Sequence, residues 1–270
     1  MRTIRFAASV CLAVLSAAAP SVLPGLVITD SFSGNGTLDG SAVESASSGS
    51  YTWSAQAIYN TGFYRNNGTA VVTDITYSTE RITRLAWVNQ TIAASDIATY
   101  SLDVQLNPGV WTSISFLDNP ESVYDSAEWN AGVLTLRLDN AGGWSVLGMH
   151  YGFNSQDVVA QGASPTYYSG GWNNLTLEFN RATNMASASV NGVQVLAPMN
   201  PYASYYPNNP SFQPTVTAAG FHMYGGYNNG AAVDNFSLTV VPEARSLLLA
   251  GFGLAGIVIL RRRSPCRKRS

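Results

Sequence analysis

The chain reads as an all-β protein, a two-sheet antiparallel jelly-roll sandwich flanked by an N-terminal signal helix and a short C-terminal transmembrane helix. Three observations predict this. Apolar residues recur at every second position through the middle, turn residues punctuate those runs, and a short apolar stretch lies near each terminus beside arginines. The predicted layout is a signal peptide at 1–19, a sandwich at 20–241 and a C-terminal tail at 242–270.

Taken in order, Arg2 and Arg5 form a charged n-region and Phe6 to Leu15 a short apolar run. Ser16, Ala17, Ala18 and Ala19 then supply a small-residue cleavage zone, the pattern of a secretory signal. In the body, Tyr100, Leu102, Val104 and Leu106 alternate with polar residues, as do Leu134, Leu136 and Leu138, and Leu175, Leu177 and Phe179. Each run puts apolar side chains on one sheet face and polar ones on the other. Asn191-Gly192 suits a two-residue type I′ turn, where both central residues need positive φ. Asn140-Ala141-Gly142-Gly143 links two further strands in the same manner. Short strands spaced by Gly, Asn, Pro and Ser favour a sandwich over a parallel α/β sheet. Both cysteines, Cys11 and Cys266, fall in the terminal segments, so the body carries no disulfide, thiol nucleophile or Cys-ligated metal.

Charge narrows the partners. The whole chain has 14 basic and 16 acidic residues, but residues 30–241 hold five basic against 15 acidic, a net charge of −10. Nucleic acid is excluded, because binding it needs a basic stripe to neutralise phosphates. Neutral sugars and Ca²⁺ are the expected partners.

The tail has its own logic. Leu247 to Leu260 is 14 uncharged residues, within a span assigned to 246–260, and a basic stop at 261–269 opens with Arg261, Arg262 and Arg263. Such a helix covers about 21 Å of a hydrocarbon core about 30 Å thick, with the arginines on the cytoplasmic side. Val241, Pro242, Glu243 and Ala244 stand just before it. Pro-Glu, a short Gly/Leu-rich span and an Arg cluster at the terminus resemble the PEP-CTERM sorting tail, with Ala244 as the departure. The resemblance implies export through the Sec translocon, transient insertion in the inner membrane and processing by an exosortase-type enzyme. It also implies delivery to the cell surface or extracellular matrix of a Gram-negative bacterium.

A second resemblance lies in the body. Trp172-Asn173-Asn174-Leu175-Thr176-Leu177, followed by Val190-Asn191-Gly192, is similar to the W-x-x-L-x-L…V-N-G hairpin of concanavalin A-like (laminin-G-like) jelly rolls. Asp30-Ser31-Phe32 and Val233 to Leu238 look like the first and last strands that such domains pair side by side. The family implies an antiparallel sandwich that binds glycans or serves as an adhesive surface module.

Catalytic chemistry is not legible. Jelly-roll glycosidases need paired carboxylates in one groove, and no E-x-D-x-x-E arrangement occurs. His150 and His222 stand alone and are expected to be structural, and no G-x-S-x-G elbow is present. Asp118, Asn119, Glu121 and Asp125 form an acidic loop able to offer oxygens to Ca²⁺. The expected glycan-binding residues are Tyr202, Tyr205 and Tyr206, with Tyr167, Tyr168 and Trp172, because tyrosine and tryptophan pair an apolar face with a polar tip. Tyr224, Tyr227, Asn228 and Asn229 form a similar group, while Trp53, Trp87, Trp111 and Trp144 are expected in the core. The function expected is non-catalytic: binding or organising extracellular polysaccharide. The alternatives are a structural or adhesion protein without small-ligand affinity and, last, a glycan-active enzyme.

Overall fold

The computed structural model describes residues 25–55, 62–73, 82–120, 132–149, 156–203, 206, 212–225 and 231–242. They belong to one compact unit, Pro24–Glu243. The predicted signal and the tail from Glu243 onward lie outside the described residues.

The first six strands are β1 (Leu26–Asp30), β2 (Asn35–Thr37), β3 (Ser45–Ala46), β4 (Trp53–Ala55), β5 (Gly62–Asn66) and β6 (Ala70–Thr73). Next come β7 (Ile82–Asn89), β8 (Asp96–Gln105), β9 (Trp111–Leu117), β10 (Gly132–Asp139), β11 (Gly143–Met149) and β12 (Gln156–Ala163). The last five are β13 (Trp172–Asn180), β14 (Met185–Val190), β15 (Val193–Met199), β16 (Ala218–Gly225) and β17 (Ala232–Pro242). All ladders are antiparallel. A ten-stranded sheet runs β15-β14-β13-β8-β17-β6-β5-β2, with β1 beside β17 and β3 beside β1. A seven-stranded sheet runs β12-β11-β10-β9-β16-β7-β4.

The alternation read from sequence is the cause of the layering. On β8, Ala98, Tyr100, Leu102 and Val104 are fully buried while Thr99, Ser101, Asp103 and Gln105 are half-buried on the other face. On β13, Leu175, Leu177 and Phe179 face the same way. From the opposite sheet, Ile114, Phe116, Leu134, Leu136, Leu138 and Phe221 meet them in one core. Each such side chain contributes roughly 1.5–3 kcal/mol on leaving water. Trp53 sits at the centre, with ring centroids 4.9 Å from Phe236, 5.4 Å from Phe32 and 5.5 Å from Phe221.

The Asn191-Gly192 turn has φ of 51° and 73° and joins Val190 directly to Val193, as a type I′ hairpin requires. First and last strands also pair, from Leu26 with Val240 to Asp30 with Phe236. The chain therefore enters and leaves the sandwich at one end, and β17 continues through Pro242 opposite Asp96. Val241 and Pro242 of the predicted sorting motif belong to the sheet, one residue past the boundary expected from sequence. β8 ends at Gln105 and β9 begins at Trp111, so Trp111 lies at the other end, about 30 Å along a ten-residue strand.

One polar cluster inside the fold was not legible. Asp30, 1% exposed, accepts from both Arg65 guanidinium nitrogens at 3.0 and 2.7 Å and from Trp53 Nε1 at 2.7 Å. Trp53 belongs to the seven-stranded sheet, so this carboxylate ties the two layers together.

Candidate functional site

The outward face of the seven-stranded sheet is built from cross-strand rows. In one row His222 pairs Ser113, Ser113 pairs Arg137, Arg137 pairs Ser145 and Ser145 pairs Gln161. In the neighbouring row Tyr224 pairs Trp111, which pairs Asp139. Because side chains alternate along each strand, these residues share the face opposite Leu136, Leu138 and Phe221. Towards the middle of the sheet the face is buried: His222 Nδ1 lies 3.2 Å from Ser113 Oγ and 3.4 Å from Ser115 Oγ, and Ser115 Oγ lies 2.8 Å from Thr135 Oγ1. His222 is thus a structural histidine in a hydroxyl chain, and His150 lies outside the described residues.

At the end remote from the termini the face opens into a cleft of about 390 Å³ lined by Arg137, Asp139, Gly143, Trp144, Ser145, Gln161 and Gly162. That size falls within the range of small-molecule sites. Trp111 and Tyr224 stack beside it with centroids 5.2 Å apart and rings 6° from parallel. The Arg137 guanidinium lies over the Trp111 ring at 5.5 Å, a cation–π contact. Asp139 Oδ1 accepts the backbone N–H of Ala141 at 2.9 Å and of Gly143 at 2.8 Å, which closes the turn under the cleft. A Cβ at Gly143 would fall 2.5 Å from Asp139 Oδ2, so glycine keeps that carboxylate in place. Gln161 is exposed, and its amide offers both a donor and an acceptor. A half-open trough with a fork of donors, an amide, a hydroxyl, a carboxylate and flat rings has the parts that grip a hydroxyl-rich ring.

The sequence missed most of this site. Trp111, expected in the core, is half-buried beside the cleft; Trp144 is half-buried, lines the cleft and packs against the core as expected, and Trp53 and Trp87 are core residues, at 1% and 5% exposure. The available signal was the polar side of the β10 alternation, Thr135-x-Arg137-x-Asp139.

Of the expected glycan residues, Tyr168 is 62% and Trp172 40% exposed. Tyr168 stands on a loop, and Trp172 opens β13 just after it; two amides weld this loop, as Asn173 exchanges bonds with the Tyr168 backbone and Asn191 Nδ2 donates to Thr166 O and to Asn173 Oδ1. Tyr167 is half-buried, its hydroxyl donating to Asn140 O at 3.0 Å, and burial and the charge of Asp139 raise its pKa. Tyr202 and Tyr206 correct the expectation of an open tyrosine platform. Tyr202 is 1% exposed, donates to Val133 O at 3.0 Å and packs edge-on to Phe179 and Phe212. Tyr206 is buried and stacks on Phe212 at 3.8 Å. Both rings are spent on holding their loop to the core. Tyr205 lies outside the described residues, as do Tyr227, Asn228 and Asn229.

Of the Ca²⁺ candidates, Asp118 is half-buried; burial raises its pKa and the charge of Arg181 opposes the rise. Asn119 adopts φ 46° and donates its N–H to Thr217 Oγ1 at 2.7 Å. Glu121 and Asp125 lie outside the described residues, among which no three potential metal ligands gather. The described residues contain no helix long and apolar enough to cross a membrane. The span 246–260 and Glu243, Ala244, Arg261, Arg262 and Arg263 lie outside them.

No family model matches the chain, and no curated protein matches it. Solved structures resemble it to different degrees. An endo-1,3-beta-glucanase from Streptomyces sioyaensis is 15% identical with a TM-score of 0.50, over 83% of this chain and 99% of that one. A Bacillus subtilis protein with a galectin-like fold is 13% identical with a TM-score of 0.47, over 72% and 90%. A Lotus tetragonolobus seed lectin is 10% identical with a TM-score of 0.47, over 80% and 99%. The architecture of this chain is a two-sheet antiparallel jelly roll like that of the glucanase.

Proposed function

We propose that the sandwich binds extracellular polysaccharide without cleaving it, through the open cleft of its seven-stranded sheet. The observation that carries this reading is the convergence of Arg137, Ser145, Gln161 and Asp139 beside the Trp111–Tyr224 stack. Sugars are recognised by polar groups that fix hydroxyls and by aromatic faces that cover C–H-rich ring faces, and both are present within one trough. The fold shared with an endo-1,3-beta-glucanase supports a glycan partner. The cleft lies at the end of the domain remote from Leu26 and Pro242.

The chain is an exported protein of the PEP-CTERM type in this reading. Its first 19 residues direct it through the Sec translocon, and its tail holds it in the inner membrane until an exosortase-type enzyme releases it to the cell surface or matrix. The signal-like start and the Pro242-Glu243…Arg261-Arg262-Arg263 pattern support this.

The test is a glycan array probed with the full chain, with and without Ca²⁺, alongside an assay for released reducing ends. Saturable binding without release supports the reading. Release of reducing ends would turn it into a hydrolase, and binding to no glycan would leave the structural or adhesion role.

A further inference from the structure

We infer that the cleft selects a sugar carrying a carboxylate, a uronate, with Arg137 as the group that reads it. This rests on the polysaccharide-binding reading above and names the substrate class.

Residues 30–241 carry 15 acidic side chains and five arginines, so partners for a guanidinium abound. Among the described residues Arg65 is paired with Asp30 at 2.7 Å, and Arg84 and Arg181 are 2% and 6% exposed. Arg181 donates to the carbonyls of Ile92 and Pro214. Arg137 differs. It is half-buried and lines the cleft, and among the described residues it has neither a hydrogen bond nor an ion pair. It lies instead over the Trp111 ring, its Cζ 5.5 Å from the centroid, and a guanidinium stacked on an aromatic face keeps N–H donors in its own plane for a ligand. A planar fork with vacant donors matches a carboxylate bidentately, and such charge-assisted pairs are about twice as strong as neutral ones.

The neighbours orient the ligand. Ser145 and Gln161 continue the row from Arg137 across β11 and β12. Adjacent strands lie about 4.8 Å apart, so the row spans about 10 Å, enough for one or two pyranose rings. Asp139 closes the cleft with the opposite charge, its Oδ1 taken by two backbone N–H groups and Oδ2 facing the turn glycine. An anion is driven from Asp139 towards Arg137, while hydroxyl donors turn towards Asp139. A uronate has both features on one ring, a carboxylate at C6 and hydroxyls elsewhere. The strongly acidic charge of the domain therefore does not dictate a neutral sugar here, because Arg137 places a positive group inside the cleft.

The test titrates the full chain with oligomers of galacturonate, mannuronate and glucuronate and with the carboxyl-reduced, neutral counterpart of each. Tryptophan fluorescence is the readout, since Trp111 and Trp144 border the cleft. At least one uronate is expected to bind about tenfold or more tighter than its neutral counterpart, a difference that shrinks with added salt. Arg137→Met, which keeps side-chain length and packing on Trp111, is expected to bring that ratio towards one, and Arg137→Lys, which keeps charge without the fork, to an intermediate value. Equal binding of acidic and neutral oligomers, or an unchanged ratio in Arg137→Met, overturns the inference and leaves the polysaccharide reading standing. Absence of binding by every oligomer overturns the inference, and the glycan array then decides whether the polysaccharide reading stands.

Discussion

Removing the Asp30 carboxylate should be among the most damaging single changes in the sandwich. Asp30 Oδ1 accepts from Phe32 N at 2.7 Å and Arg65 Nη1 at 3.0 Å, and Oδ2 from Trp53 Nε1 and Arg65 Nη2, both at 2.7 Å. Asp30→Ala removes the acceptor that these four donors share. Arg65, 9% exposed, would keep Ala42 O at 2.8 Å and Glu44 at 3.7 Å, but its charge would lose its main partner. Breaking a buried pair from one side costs about 3–5 kcal/mol, and an orphaned buried N–H about 1–3 kcal/mol more. Since these terms share one site and do not add fully, a loss of about 5 kcal/mol is expected, comparable with the whole stability of a marginal domain. The cost arises from stranding the partner, so Asp30→Asn with Arg65→Met should lose clearly less than the two single changes together. The assay is urea unfolding followed by tryptophan fluorescence, comparing midpoints at constant slope. A single variant within about 1 kcal/mol of the parent, or strict additivity in the pair, would refute the reasoning.

Three further outcomes follow from the same geometry. Burial raises the Glu44 pKa, but hydrogen bonds from Ser33 and Ser31 outweigh it and bring the group down from 4.5 to about 2. A depressed folded-state pKa contributes stability that is complete above 4.5 and lost as pH falls through 2. Melting of Glu44→Gln across this range should show a deficit at neutral pH that fades on acidification; a constant deficit would contradict it. Tyr202→Phe removes the buried bond to Val133 O and should cost about 1 kcal/mol in urea unfolding, with glycan affinity unchanged because Tyr202 faces the core. A Cβ at Gly220 would lie 2.4 Å from Ala86 O and 2.8 Å from Trp87 Cβ, so Gly220→Ala should cost about 3 kcal/mol by forcing β16 from β7. A thermal midpoint like the parent's would show that the strands give way freely.

What the sequence made legible was whatever is encoded within one strand or turn. The alternation on β8, β10 and β13 and the Asn191-Gly192 turn are local, and they carried the layering and the hairpins. The fate of the tyrosines was not local. Tyr202 and Tyr206 sit in a Pro/Asn-rich loop that reads as surface, yet Phe179 and Phe212 offer them rings, and contacts across distant segments leave no mark on spacing. β9 hid its own polarity. Thr112, Ile114 and Phe116 face the core, but Ser113, Ser115 and Leu117 on the other face are buried too, so Trp111 could not be told from a core tryptophan. Asp30 and Arg65 are 35 positions apart, beyond any motif. The cleft is likewise an assembly of β10, β11 and β12 with β9 and β16 beside them, and exists only once the sheet has formed.

The most direct measurement of the central claim is chemical-shift mapping of the tryptophan indole N–H signals as an acidic oligosaccharide is added. The chain has six tryptophans. Trp111 and Trp144 border the cleft, Trp172 stands on the other sheet, and Trp53 and Trp87 are buried. The account predicts saturable shifts at Trp111 and Trp144 while Trp172 stays in place. Shifts at Trp172 with Trp111 and Trp144 unmoved would contradict it.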